Sequence, residues 1–207
     1  MKALKLLAVI LSSILIPAPA LAGIIGTNGI SYISAPTTRN YPKADTLQIF
    51  EESNKVAFSE SDIALNAGTI TPGTLVNSFN IYLHTESNSS TWKTASGSIT
   101  FDRPILGLIW SGKNLDQSDA SFGASGTPYA QIGDWRGLEG NDVSTFSDFF
   151  FNGNGNTLNL TFNVSSQGYD ELRVLTAATP EPLTILGAST ALGFGIFFRK
   201  KLAKKKY

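Results

Sequence analysis

The sequence predicts an all-β body, an antiparallel β-sandwich or jelly roll, with a C-terminal transmembrane helix behind it. Three observations carry that expectation. Residues 157–164 alternate strictly, Leu158, Leu160, Phe162 and Val164 against Asn159, Thr161 and Asn163, which is the period of a half-buried strand. Gly, Ser, Thr and Asn are spread through the middle of the chain, and no long stretch there shows the apolar period of an amphipathic helix. The apolar run at residues 183–198 contains no charge and is followed directly by basic residues.

The chain begins with two lysines among its first five residues, an apolar stretch at 6–16, and then Pro17 and Pro19, which break it. Ala20-Leu21-Ala22 offers small residues for cleavage. This is the pattern of a secretory signal peptide over residues 1–22, cut after Ala22 or, as second choice, after Ala20. The body then spans residues 23–176, a normal size for one domain with a core of its own.

Within the body, residues 47–51 and 55–58 read as strands flanking a turn at Ser53-Asn54. Residues 74–84 alternate in part, with Leu75, Phe79, Ile81 and Leu83 at odd positions. Residues 97–101 and 105–110 read as strands separated by Asp102-Arg103-Pro104. Residues 114–120 predict a short helix capped by Asn114. Residues 149–151 and 157–164 form a hairpin, because the Asn-Gly pairs between them supply the positive φ of a tight turn. Residues 172–175 are the last strand of the body. Such short strands with regular turn signals suggest two packed sheets.

Residues 177–182 are a linker ending in Pro180-Glu181-Pro182. The prolines fix φ and remove backbone donors, so this tripeptide is extended and outside any helix. Residues 183–198 follow as a helix of 16 residues, short of the roughly 20 that a perpendicular span needs, a gap that snorkelling lysines reduce. Gly187, Ala191 and Gly195 place small residues on one face, where another helix can approach closely. The tail, residues 199–207, holds Arg199, Lys200, Lys201, Lys204, Lys205 and Lys206, a stop-transfer cluster that stays cytoplasmic.

The order of tripeptide, apolar run and basic cluster resembles the PEP-CTERM sorting signal of bacteria with an outer membrane. That resemblance implies recognition of Pro180, Glu181 and Pro182, and removal of the tail by an exosortase, a membrane-embedded cysteine protease. Segments 96–102, 105–109 and 136–142 look, more loosely, like stretches of other all-β ectodomains that carry this signal, and they imply no chemistry. The resemblance also implies export to the inner membrane, then the cell envelope or the extracellular space. Exosortase systems often accompany exopolysaccharide production, which makes extracellular polysaccharide the expected partner.

The overall balance of 16 basic and 16 acidic residues hides a charged body. Two lysines lie in the signal peptide and six basic residues in the tail, so eight remain; only Glu181 among the acids lies outside, so fifteen remain. The body therefore carries about −7, which argues against nucleic acid and against adsorption to anionic lipid. With no cysteine there are no disulfides, thiolate metal sites or cysteine nucleophile.

Candidate sites are few. Asp134, Glu139 and Asp142, with Asn141, supply hard oxygen ligands in a glycine-rich segment and form a candidate Ca²⁺ site, although the spacing is not that of an EF-hand. No other cofactor is expected. The competing reading is a solvated acidic loop with Arg136 paired locally. Asp116 and Asp119 fit the capped helical turn better than a metal. Trp92 and Trp135 lie in polar surroundings and are candidate platforms for sugar rings, whereas Trp110 follows an apolar strand and is expected in the core. His84 is the sole histidine, and no Gly-x-Ser-x-Gly segment accompanies it, so a surface residue is expected there. Glu51 and Glu52 are adjacent and point to opposite faces of a strand, a poor glycosidase pair.

No catalytic residue is assigned. The expected role is structural or polysaccharide-binding; the alternatives are a secreted hydrolase acting on polysaccharide or ester, and a permanently anchored domain facing the periplasm.

Overall fold

A computed structural model describes residues 23–38, 41–59, 63–84, 93–130, 136–138, 150–151, 155–164 and 169–178. Ten strands and one helix are found there: β1 (Ile24–Asn28), β2 (Ile30–Tyr32), β3 (Leu47–Ala57), β4 (Ala67–Gly68), β5 (Leu75–His84), β6 (Lys93–Phe101), β7 (Ile105–Ile109), α1 (Gly112–Phe122), β8 (Phe150–Phe151), β9 (Thr157–Val164) and β10 (Tyr169–Ala177). The all-β expectation holds. The strands form a four-stranded sheet, β1-β6-β9-β8, and a six-stranded sheet, β2-β3-β5-β10-β7-β4. All pairings are antiparallel except β2 with β3, so the larger sheet is mixed.

The smaller sheet follows from alternation. Leu158, Leu160, Phe162 and Val164 of β9 lie beside Ala95, Ile99 and Phe101 of β6 in one core. That core is shared with Ile49, Phe79, Ile81, Leu83, Leu172 and Val174 of the larger sheet. Full burial of each such side chain contributes roughly 1.5–3 kcal/mol. The hairpin expected before β9 is present in the paired residues, Phe150 opposite Asn159 and Phe151 opposite Leu158.

The chain passes from one sheet to the other at Gly29, between β1 and β2. Its φ is +69°, and a Cβ there would sit 2.5 Å from the Ser96 carbonyl oxygen, so only glycine fits.

Two expectations need correction. Residues 47–51 and 55–58 are not two strands around a turn: β3 runs through Ser53-Asn54 as one strand. Register shifts near Ser53 absorb the irregularity, and Lys55 takes a φ of 55° with its N–H donated to Asn77 Oδ1 at 3.0 Å. Turn-like residues here make bulges. The helix, in turn, starts earlier than predicted. Its cap is Ser111, whose Oγ accepts from the N–H of Asn114, the residue expected to be the cap. Asn66 Oδ1 accepts from the N–H groups of Trp110 at 2.8 Å and Ser111 at 3.1 Å, which ties this helix start to the chain before β4.

The helix makes a third layer. Leu115 and Phe122 pack with Phe58, Val76, Ile109 and Leu175 on the face of the larger sheet turned away from the smaller one. Tyr41, Phe50, Tyr82 and Tyr129 form a second apolar group there. Nine of the ten residues of β5 are consequently buried, even-numbered ones included. The last strand, β10, lies between β5 and β7, and Ala178 N–H still donates to the Leu75 carbonyl at 3.0 Å. No helix among the described residues is long and apolar enough to cross a membrane. Residues 1–22 and the predicted span 183–198 lie outside the described residues.

Candidate functional site: a buried ion network and a neutral sheet face

The residues singled out by sequence fall mostly outside the described set: Trp92, Asp134, Trp135, Glu139, Asp142, Pro180, Glu181, Pro182 and the basic cluster Arg199, Lys200, Lys201, Lys204, Lys205, Lys206 all do. Trp110 is half-buried against the main core, as expected. Among the described residues no group of three or more His, Asp or Glu is arranged to hold a metal ion.

His84 is not on the surface. It is 6% exposed at the end of β5, with Nδ1 2.9 Å from the Tyr41 carbonyl oxygen. The segment around Tyr41 covers it, and a strand-end position did not reveal that. Burial lowers its pKa below the usual 6.5; nearby Lys43 acts in the same direction, and the Tyr41 carbonyl opposes them. The folded state therefore binds fewer protons than the unfolded chain below about pH 6.5. This contribution to stability is complete above the unfolded pKa and declines as pH falls from there toward the folded value. His84→Gln is expected to reduce the loss of Tm between pH 7.5 and 5.5 relative to the parent chain, measured by thermal melts at both values. An equal loss in both would show that His84 does not titrate differently on folding.

Beneath α1 lies a network that the sequence did not announce. Arg173 of β10 is fully buried. Its Nε and Nη2 donate to the two carboxylate oxygens of Glu52 on β3, both at 2.6 Å. Nη2 also reaches Asp119 of α1 at 2.8 Å, and Nη1 donates to Ser118 Oγ and the Leu115 carbonyl. Arg136 donates to Glu171 of β10 at 2.5 Å, to Asp116 at 2.9 Å and to both oxygens of Asp119. Ser78 and Asn80 of β5 add donors to Glu52 and Glu171. The Tyr129 ring lies 5.0 Å from the Arg136 guanidinium carbon and 5.5 Å from that of Arg173.

Arg136 is brought there by Gly137, whose φ is +93° and whose added Cβ would be 2.4 Å from the Trp110 carbonyl oxygen. Glycine lets this segment lie against the helix start, and Leu138 N–H donates to that same carbonyl at 2.8 Å. Arg136 is thus paired with α1 and β10, not locally. Burial alone would lower the pKa of either guanidinium. For Arg136 the charges and bonds of Glu171 and Asp119 outweigh it, for Arg173 those of Glu52 and Asp119, and both pKa values end well raised. Burial likewise pushes Tyr41 and Tyr129 far above the ordinary tyrosine range. Glu52 belongs to this network while Glu51, on the other side of the strand, accepts from Asn54, so the two carboxylates are separated as predicted.

Four carboxylates here face two guanidiniums. Asp116 and Asp119 are at the rim, with side chains 23% and 18% exposed, while Glu52 and Glu171 are enclosed. Each acid is held by a guanidinium, an arrangement suited to fastening the helix to the sheet rather than to moving protons.

The outer face of the smaller sheet is different in kind. On β6 it presents Thr94, Ser96, Ser98 and Thr100, and on β9 Thr157, Asn159, Thr161 and Asn163. None is charged. Lys93, at the start of β6 and on the opposite parity, is 3.7 Å from Asp45. Three rows are bonded across the strands: Thr94 to Asn163 at 2.9 Å, Ser96 to Thr161 at 2.9 Å, and Thr100 to Thr157 at 3.0 Å. The fourth row, Ser98 opposite Asn159, continues onto β1 through Asn28. An open trough of about 450 Å³ runs there, lined by Asn28, Ser96, Ser98, Asn159 and Thr161 and by the backbone around Gly97.

Comparison with protein-family models, with curated proteins and with solved structures finds no match to this chain.

Proposed function

We propose that this chain is an exported cell-envelope or extracellular-matrix protein, released or relocated by an exosortase-type cut at its C-terminal signal, with a body that is structural or polysaccharide-binding. The observation that carries this reading is the order of Pro180-Glu181-Pro182, an uncharged apolar run and six basic residues behind an N-terminal secretory pattern. In this reading residues 183–198 form the membrane helix, and the two-sheet body is a β-sandwich outside it. The position of β10 supports it. That strand ends at Ala177, three residues before Pro180 in the sequence, so in this reading a cut at the tripeptide leaves every described strand intact. The pairing of the carboxylates under α1 favours a non-catalytic body.

Replacing both Pro180 and Pro182 with alanine tests the reading. The expected result is accumulation of a longer, membrane-bound form that keeps its lysine tail, seen by immunoblotting of membrane and released fractions. Unchanged size and location would mean that the tripeptide is only a linker and the chain a permanent anchor.

A further inference from the structure

We infer that the outer face of the four-stranded sheet binds an uncharged polysaccharide along the row Asn28, Ser98 and Asn159. This rests on the polysaccharide-binding reading of the body and names its contact surface. The chemistry of the face selects the ligand. Hydroxyls and primary amides each donate and accept hydrogen bonds, as sugar hydroxyls do. None of the eight outward positions on β6 and β9 is charged, so these two strands offer nothing to pair with a uronate, sulfate or phosphate. The body around it carries about −7, which further disfavours anionic polymers and a second copy of the same acidic body.

The face is also prepared for contact. Its inward side chains, Ile99, Phe101, Leu158, Leu160, Phe162 and Val164, are buried in the main core, so the strands beneath are fixed. Three of the four cross-strand rows satisfy each other. Among the described residues no side-chain hydrogen bond joins Ser98 to Asn159 or to Asn28, so the bonding capacity of this row is turned outward. These short side chains lose little rotamer freedom on binding. The hollow above the row, about 450 Å³, is widely open to solvent, which suits a chain lying across the sheet better than an enclosed molecule.

The test uses the full-length protein in detergent, pelleted with insoluble cellulose or curdlan as neutral probes and with alginate beads as the anionic probe. The expected result is retention on at least one neutral probe, weaker retention on alginate, and a loss of about tenfold in Asn28→Ala/Asn159→Ala, from two hydrogen-bonding groups. Ser98→Glu is expected to abolish retention, with an unchanged thermal melt showing that each variant is folded. Loss of retention in Trp92→Ala or Trp135→Ala, with the face variants binding normally, would overturn this site and leave polysaccharide binding standing. Tighter binding to alginate would also overturn it. Retention on no probe, with self-association that Ser98→Glu abolishes, would assign the face to a second copy and overturn the inference. Retention on no probe without self-association would overturn both the inference and the polysaccharide-binding reading, while the sorting reading is decided separately at the tail.

Discussion

Arg173→Met is expected to cost about 3–5 kcal/mol of folding stability, because it leaves a buried carboxylate without its counter-charge. The side chains of Arg173 and Glu52 are both fully enclosed, and their two bonds at 2.6 Å link β10 to β3 across β5. The same guanidinium holds α1 through Ser118, Leu115 and Asp119. In a domain of this size the loss corresponds to a fall in Tm on the order of 10 °C, read by thermal melting and by the denaturant midpoint. Replacing the pair together, Arg173→Met with Glu52→Leu, is expected to recover much of it, since a buried ion pair owes most of its apparent strength to the penalty of breaking it. Asp119→Asn is expected to cost less, because that carboxylate is 18% exposed at the rim. Equal losses in the single and double variants would contradict this account of the network.

Phe79→Ala is expected to cost a similar amount, about 3–5 kcal/mol, for a different reason. Phe79 is fully buried on β5, and its ring is 5.0 Å from that of Phe101 on the facing sheet. It also packs on the backbone of Gly23, where a Cβ would come within 2.5 Å of its ring. Truncation leaves a void between the two sheets that neither can close without sliding. Chemical denaturation with an unchanged m-value is the measurement, and a loss below about 1 kcal/mol would mean that the two sheets do not share one packed core.

The parts of the fold that were legible in sequence are those with one dry and one wet face. β9 shows it in its strict alternation, whereas only 97–101 of β6 was read as a strand, and the structure extends it back to Lys93. The larger sheet was only half legible. Phe79, Ile81 and Leu83 marked the inner face of β5, but the polar alternates Ser78, Asn80 and His84, with Tyr82, carry no sign that a third layer buries them too. Alternation reports two faces and not what covers them. The ion network was hidden for a related reason. Its partners are 121 residues apart for Arg173 and Glu52, and 91 for Asn80 and Glu171, distances over which one sequence carries no pairing signal. The one local hint was Glu171 and Arg173, opposite charges at matching parity on either side of Leu172. Ser53-Asn54 misled because turn-forming residues also serve bulges. The C-terminal pattern behind the sorting proposal is wholly local, so it is read from residues alone, and it lies outside the described residues.

The most direct test of the central claim is the C-terminal boundary of the native protein, found by peptide mass spectrometry of envelope and released fractions. An end near Pro180 to Pro182, with the lysine tail gone, is the predicted result. A chain intact to Tyr207 and confined to membranes would contradict it.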